Sequence, residues 1–176
     1  MKISTWNVNS VNARIEHLEK FIKKDQSDIY LLQELKTIED GFPKEIIKNA
    51  GYYSYVNGQK AWNGVAILSK EKLEITNTSI PKYHDPNARF IETEIQLKKI
   101  KKNIKLINIY LPNGNPIETE KFDYKIKWMK KFNSYIQGLK NNNIPIIISG
   151  DFNVIPTDDD VIPPENFKND ACPHPL

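Results

Sequence analysis

Three strand-length runs of apolar residues in this chain each end abruptly at carboxylate or carboxamide side chains. The runs cover residues 3–6, 29–32 and 144–149, and they are followed by Asn7, by Gln33 and Glu34, and by Asp151 and Asn153. Runs this apolar are typical of buried strands, which restricts the chain to folds built around a well-covered sheet. Because ligands of open α/β sheets bind where strands end, we expect these polar side chains to meet at one site.

The strand ends share hard oxygen donors, which suit Mg²⁺ or Mn²⁺ and, through the metal, a phosphate. Glu34 is the first candidate ligand, because an ionised carboxylate at the end of a buried strand is costly without a cationic partner. Asp151 could accept a proton from water while Asn153 donates to a phosphoryl oxygen, and hydrolytic attack on phosphorus needs both. The pattern predicts a metal-dependent phosphoester hydrolase.

Simpler interpretations exist for the same residues. Glu34 could be an exposed acid paired with Lys36, and Asp151 with Asn153 could close the strand in an Asx-turn. Lysines cluster in residues 98–105 and 125–131, which is compatible with a polyanionic partner but is also typical of solvated surface. Because three apolar strands all end in such polar residues, one shared metal site is favoured over a separate explanation for each residue.

Composition and the termini exclude several classes of protein. A hydrophobic fraction of 39%, a mean hydropathy of -0.56 and a net charge of +3 describe a water-soluble globular chain, and we expect one domain over residues 1–176. Apolar runs are too short to span a bilayer, and Met1-Lys2 leads into a strand rather than a signal peptide. Its single cysteine, Cys172, excludes an internal disulfide framework and fits a cytoplasmic location.

Strand and helix patterns alternate along the chain, which predicts an α/β sandwich rather than a purely parallel, doubly wound sheet. Helical spacing occurs over residues 11–22, with Ser10 or Asn9 as a cap, over residues 44–49, and as an apolar stripe from Phe122 to Leu139. Further strands are predicted over residues 52–56, 65–69, 73–78, 89–97 and 105–110. Asn57-Gly58 predicts a tight turn, and residues 65–97 are expected to form consecutive antiparallel strands.

Five motifs follow one another in a specific order. They are Trp6-Asn7-Val8-Asn9-Ser10, Leu32-Gln33-Glu34-Leu35-Lys36, Gly58-Gln59-Lys60 with Asn63-Gly64-Val65-Ala66-Ile67-Leu68, Tyr110-Leu111-Pro112-Asn113-Gly114, and Gly150-Asp151-Phe152-Asn153. Together they resemble the exonuclease III, or bacterial AP endonuclease, family within the endonuclease/exonuclease/phosphatase superfamily. The resemblance implies a DNase I-like fold, a four-layered α/β sandwich of two mixed sheets.

The resemblance also implies a role for each site residue. Glu34 would be the principal Mg²⁺ ligand, with Asn7 supporting the metal site. Asp151 would position and deprotonate the attacking water and Asn153 would stabilise the transition state, both at the metal. Tyr110 would contact the scissile phosphate. Four further residues would contact DNA, namely Asn9, Lys60, Arg89 and Asn113.

The implied activity is Mg²⁺-dependent hydrolysis of phosphodiester bonds in double-stranded DNA with abasic sites or 3′ ends, by a monomer that binds no membrane. The family carries a later Asp and an Asp-His pair near its C-terminus, and this sequence has no Asp-His dipeptide. We therefore expect a domain that lacks C-terminal strands of the second sheet and has impaired activity. Two alternatives remain open, a superfamily phosphatase acting on other phosphoesters and an inactive fragment that binds DNA.

Overall fold

The computed structural model describes residues 1–97, 102–161, 167 and 170–173. The strands in this part of the chain are β1 Ile3–Asn7, β2 Ile29–Gln33, β3 Tyr53–Asn57, β4 Val65–Ser69, β5 Ile75–Asn77, β6 Phe90–Leu97, β7 Lys102–Tyr110 and β8 Ile146–Asp151. The α-helices are α1 Ile15–Asp25, α2 Lys44–Asn49 and α3 Glu120–Asn141.

The strands form two mixed sheets of four strands each. The first sheet has the order β1-β2-β4-β3 and the second has the order β5-β6-β7-β8. Each contains one parallel pair, β1 with β2 and β7 with β8, and is otherwise antiparallel. The predicted architecture of two mixed sheets is confirmed.

Three apolar clusters separate four layers of secondary structure. One cluster lies between the two sheets, where Leu31 and Ile67 of the first sheet pack with Ile91 and Leu106 of the second. A second cluster covers the outer face of the first sheet with helices α1 and α2. The third covers the outer face of the second sheet with α3, whose Trp128 is fully buried. Because successive side chains of a strand point to opposite faces of the sheet, neighbouring residues pack into different clusters.

A buried polar contact also joins the sheets. Asn108 on β7 is fully buried, and its Nδ2 donates to the carbonyl oxygens of Leu32 at 3.0 Å and Ala66 at 2.9 Å in the opposite sheet. Its Oδ1 accepts from Nε2 of Gln33 at 2.8 Å. Gln33 therefore joins the two sheets through Asn108, and it also lines the cavity that Asn7 and Asp151 line.

Two sequence predictions about strand connections need correction, although β5 and β6 pair antiparallel as predicted. Strand β4 has β2 on one side and β3 on the other, so both its edges are occupied and β5 pairs with β6 in the second sheet. The stretch 65–97 is therefore divided between two sheets. Asn57 ends β3 and begins a loop of residues 58–64 instead of a tight turn, and its Nδ2 donates to the carbonyl oxygens of Thr78 and Phe90.

One helix prediction needs correction and another is confirmed. Helix α1 begins at Ile15 after a 3₁₀ turn at Asn12–Arg14, and Ser10 Oγ accepts from the N–H of Ala13 at 3.4 Å without capping α1 itself. The apolar stripe of α3 packs on the second sheet as predicted, with Phe132 and Leu139 buried. The most deeply buried side chains of α3, Trp128 and Lys125, were not part of the predicted stripe. Most of the stripe also lines a groove of about 970 Å³ with residues of β8 and the segment that follows it.

No helix in the part of the chain that the structure describes has the length and apolar character that crossing a membrane requires.

Candidate active site

Strand ends from both sheets meet at one polar cluster. Asn7 ends β1 and Asp151 ends β8, while Glu34 directly follows β2. The Nδ2 atom of Asn7 donates to Glu34 Oε1 at 2.8 Å and to Asp151 Oδ2 at 2.8 Å. One amide nitrogen therefore bridges two carboxylates, one contributed through each sheet.

The Glu34 carboxylate is held ionised by three partners. Its Oε1 atom accepts from Asn7 and from the Tyr110 hydroxyl at 3.0 Å, and its Oε2 atom lies 3.1 Å from Lys36 Nζ. Burial alone would raise the pKa of Glu34, but the contacts with Asn7, Lys36 and Tyr110 outweigh burial and lower it. The Glu34 backbone adopts φ of 55°, a left-handed conformation uncommon for a residue with a Cβ. Residues held in such conformations concentrate at functional sites.

The ion pair between Lys36 and Glu34, which was the simpler interpretation of Glu34, is present and forms part of this polar cluster. Lys36 Nζ contacts Glu34 and also donates to Asn9 Oδ1 at 2.5 Å. Asn9 in turn donates its backbone N–H to Asn7 Oδ1 at 3.0 Å. The sequence indicated Lys36 only as an ion-pair partner of Glu34. Its contact with Asn9 could not be predicted, because the contact depends on the left-handed backbone at Asn9 and at Lys36.

The Asx-turn after β8 is also present. The N–H of Asn153 donates to Asp151 Oδ1 at 3.0 Å, so each oxygen of Asp151 accepts one hydrogen bond. Asn153 Nδ2 donates to the carbonyl of Leu111 at 2.7 Å, and its backbone has φ of 46°. Gly150 is required here, because a Cβ at this position would lie 2.0 Å from the carbonyl oxygen of Ile109.

Tyr110 and Arg89 form a stacked pair beside the carboxylates. The Arg89 guanidinium carbon lies 4.8 Å from the centre of the Tyr110 ring, and Nη1 donates to the Tyr110 carbonyl at 3.1 Å. Arg89 Nε is buried with no hydrogen-bond partner among the described residues. Burial and the adjacent Glu34 raise the pKa of Tyr110, so its phenol is a neutral hydrogen-bond donor. The structure therefore places Arg89 behind Tyr110, against its ring.

The other predicted DNA contacts lie around this cluster. Lys60 and Asn9 are exposed. Lys60 belongs to the loop of residues 58–64, which Gln59 holds by accepting from Asn63 Nδ2 at 2.9 Å and from the N–H of Ala88 at 3.1 Å. That loop also exposes Trp62, whose exposed fraction of 69% could not be read from its sequence context.

Asn113 faces the segment at residues 170–173 rather than the carboxylates. Its Nδ2 contacts Cys172 Sγ at 3.7 Å, and its Oδ1 accepts from the N–H of Asn115 at 3.0 Å. Burial raises the pKa of the Cys172 thiol to about 11, so this cysteine is protonated at neutral pH. His174, near the end of the sequence, lies outside the described residues.

The donor set fits a hydrated divalent ion. Glu34 and Asp151 bring two carboxylates to one place, and no group of three or more His, Cys, Asp or Glu side chains gathers within the described residues. Mg²⁺ commonly binds to one or two carboxylates and retains several waters, so two carboxylates suffice. The Asn7 side chain is not arranged as a metal ligand here, because its oxygen accepts a hydrogen bond from the Asn9 N–H and its nitrogen bridges the two carboxylates.

Comparisons with known proteins agree with this geometry. Residues 4–175 match the sequence model of the Endonuclease/Exonuclease/phosphatase family. Exodeoxyribonuclease III of Haemophilus influenzae is 36% identical over 175 residues, covering 96% of this chain and 63% of that protein. An exodeoxyribonuclease of Bacillus subtilis is 31% identical over 176 residues, covering 97% of this chain and 66% of that protein. The chain thus spans about two thirds of the length of these curated relatives.

Solved structures give the same result. The 3′-5′ exonuclease NExo from Neisseria meningitidis has a TM-score of 0.86 at 32% identity, with 97% of this chain and 64% of that chain covered. An AP endonuclease from Archaeoglobus fulgidus has a TM-score of 0.87 at 32% identity, with 98% of this chain and 65% of that chain covered. These similarities extend over both sheets of the fold and over the strand ends that form the site.

Proposed function

Because the chain belongs to the endonuclease/exonuclease/phosphatase family, we propose that it is a DNA-repair nuclease that hydrolyses phosphodiester bonds of duplex DNA. The observation that carries the proposal is the bridge from Asn7 to both Glu34 and Asp151 at the junction of the two sheets. Relatives with this fold are named exodeoxyribonuclease and AP endonuclease, which supports abasic sites and 3′ ends as the substrates. The chain acts as a monomer in the cytoplasm.

Asp151 is the group that takes a proton from the attacking water. Its Oδ1 and Oδ2 each accept one hydrogen bond from the protein, which leaves further acceptor capacity on both oxygens for a water molecule. A carboxylate with a free lone pair beside the phosphoryl group is the kind of side chain that serves as a general base. The Asx-turn fixes its position relative to Asn153.

Asn153 and Tyr110 stabilise the charge that develops on the phosphoryl group. One N–H of the Asn153 amide is bound to Leu111, and the second is available to a phosphoryl oxygen. Tyr110 reaches the cluster from β7 and, as a neutral phenol on Glu34, can turn its hydroxyl toward the scissile phosphate. Arg89 fixes the ring from behind and adds positive charge beneath it.

Glu34 and Asp151 would hold Mg²⁺, or Mn²⁺ in its place. The ion supplies Lewis-acid polarisation of the phosphoryl oxygen when bound. Lys36 pairs with Glu34, and the Asn7 amide bridges Glu34 and Asp151, so this chain's own residues hold the two carboxylates together. The exposed Asn9 and Lys60 contact the DNA backbone and position the substrate, and the half-buried Asn113 is a further candidate contact.

Cleavage of a duplex with a single abasic site tests the proposal. We expect Mg²⁺-dependent cutting on the 5′ side of the site that EDTA abolishes, and a loss of at least about 100-fold in Glu34→Gln and Asp151→Asn. A DNA hairpin with a 3′-phosphate is a second substrate, because the 3′ phosphatase NExo from Neisseria, whose structure holds a product DNA hairpin, shares this fold with a TM-score of 0.86. Lys127→Met, an exposed lysine on α3, is the matched control.

Two outcomes would contradict the proposal. Hydrolysis of inositol phosphates without hydrolysis of DNA would assign the chain to the phosphatases of the superfamily. Binding of DNA with no cleavage in either metal would leave a DNA-binding fragment.

A further inference from the structure

Lys125 is a buried lysine whose ammonium group faces two backbone carbonyls. It lies on α3 with 2% of its surface exposed. Its Nζ atom donates to the carbonyl of Asn153 at 2.8 Å and to the carbonyl of Ala171 at 2.8 Å. The side chain therefore connects the helix on the outer face of the second sheet with the loop after β8, which carries the candidate catalytic residue Asn153.

The stem of Lys125 is enclosed as tightly as its ammonium. Gly114 lies against it with φ of 84°, and a Cβ at that position would be 2.6 Å from Lys125 Cδ and 3.3 Å from Ala171 Cβ. Ala171 is itself 1% exposed, and its N–H donates to Asn115 Oδ1 at 2.6 Å. The Nζ atom is thus held by the helix and by residues 114–115 and 171, independently of Asn153.

Packing alone does not account for a lysine at this place. A methionine would fill nearly the same volume without the desolvation of a charged group that burial imposes. What the ammonium adds is two hydrogen bonds to carbonyl oxygens, and one of those carbonyls belongs to Asn153. A buried charge used in this way specifies the position of the backbone it binds.

Three hydrogen bonds hold Asn153 in place. The one from Lys125 comes from helix α3, outside the second sheet. The N–H of Asn153 is bound to Asp151 and its side-chain amide to Leu111, while its backbone is in the left-handed region. We propose that Lys125 is a positioning residue that fixes the Asn153 carbonyl and thereby directs the Asn153 side chain into the site. The effect on catalysis rests on the nuclease function proposed above.

A double-mutant cycle on the abasic-site duplex tests this role. Lys125→Met is expected to lower kcat about 10- to 100-fold with KM changed less than about threefold, since small misplacement of a catalytic group costs this much. In the Asn153→Ala background the same substitution is expected to lower kcat by less than about threefold, because the side chain that it positions is absent. Equal losses in both backgrounds would overturn the proposal. Lys127→Met is the control on the same helix.

A second measurement does not depend on cleavage. By NMR, hydrogen exchange of the Asn153 side-chain amide is expected to be at least about tenfold faster in Lys125→Met than in the wild type or in Lys127→Met. An unchanged rate would overturn the proposal even if the chain cuts DNA. If the wild type cuts no substrate, the nuclease function fails and this measurement still decides the role of Lys125.

Folding of the variant is checked first by circular dichroism. If Lys125→Met is unfolded, Lys125→Gln replaces it, with the same expected signature. Loss of folding in both variants, with Lys127→Met folded, would assign Lys125 to the stability of the domain and overturn the positioning role.

Discussion

Tyr110 shows how much one hydroxyl contributes at this site. Its phenol bonds Glu34 Oε1, and its ring is fixed by Arg89. Tyr110→Phe keeps the ring stacking and removes only the hydroxyl. We expect kcat on an abasic-site duplex to fall about 10- to 100-fold, since a donor to the developing phosphoryl charge is lost. The fold should persist, because Glu34 keeps its contacts with Asn7 and Lys36.

The control for Tyr110→Phe is Tyr53→Phe, at a tyrosine that is 53% exposed. An unchanged kcat in Tyr110→Phe, with both variants as stable as the wild type, would limit Tyr110 to packing against Arg89.

Sequence patterns identified the carboxylates of the site but not all of the contacts that hold them. Glu34 and Asp151 could be predicted because a buried strand must deliver its next residue to the edge of the sheet, and each stands at the end of such a run. The contacts of Lys36 with Asn9 and of Arg89 with Tyr110 could not be predicted, since they depend on left-handed turns and on the pairing of distant strands.

At the scale of elements, the strands could be predicted from the sequence, but the strands with which they pair could not. Runs of buried residues predicted β2, β4 and β7, whereas the division of β4 and β5 between two sheets depends on which edges are already occupied. Helix α3 was predicted from one apolar stripe, and Trp128, which stacks on Phe132 of that stripe, is a fully buried side chain that the stripe did not include. The sequence does contain one signal for the contact between the sheets, because Asn108 stands between Ile107 and Ile109 in an apolar run, and an amide in a buried strand needs a buried hydrogen-bond partner.

Asn108 is therefore expected to be important for joining β7 to the opposite sheet. Asn108→Leu removes the hydrogen bonds to the buried carbonyls of Leu32 and Ala66 and the one from Gln33, whose amide keeps its other acceptors. We expect the free energy of unfolding to fall by about 2–4 kcal/mol, because each buried group left unsatisfied costs about 1–3 kcal/mol. Urea denaturation measures this, with Ser134→Ala on the exposed face of α3 as the control. A loss below about 0.5 kcal/mol would mean that the two sheets do not depend on this contact.

The second sheet also contains a buried ion pair that should make its stability depend on pH. Glu92 on β6 is fully buried and accepts from Lys105, Thr76, Asn77 and Tyr135. Burial alone would raise the pKa of Glu92, but these contacts outweigh burial and lower it below its ordinary value of 4.5. A carboxylate whose pKa is lower in the folded state adds stability above the unfolded value, and that stability is lost as the pH falls through the folded value.

We expect the unfolding midpoint in urea to decrease below about pH 4.5, and to decrease less steeply in Glu92→Gln. Glu92→Gln should also be less stable at pH 7, because Lys105 would lose the nearer and buried of its two acidic partners and keep Glu94 at 3.4 Å. Identical pH profiles for the wild type and Glu92→Gln would show that other carboxylates dominate acid unfolding. Glu45→Gln, at an exposed glutamate on α2, controls for the removal of a charge.

At the scale of the whole molecule, the site joins the two sheets. Asn7 and Glu34 come from the first sheet and Tyr110 and Asp151 from the second, and the Asn7 amide holds the carboxylates together. Separating the sheets would separate the two acids. A divalent ion bound to both carboxylates would therefore favour the folded molecule as a unit, because its binding site does not survive unfolding.

Thermal unfolding with and without Mg²⁺ measures this linkage. At a free ion concentration about 100 times the dissociation constant, we expect a gain of about 2.7 kcal/mol, which raises Tm by roughly 5–10 °C for a chain of this length. The gain should disappear in Asp151→Asn and in Glu34→Gln, which each remove one charge, and persist in Glu92→Gln, whose carboxylate lies on the other face of the second sheet against α3. A gain that survives in both site variants would place the ion elsewhere on the molecule, and no gain in the wild type would mean that the metal binds together with DNA.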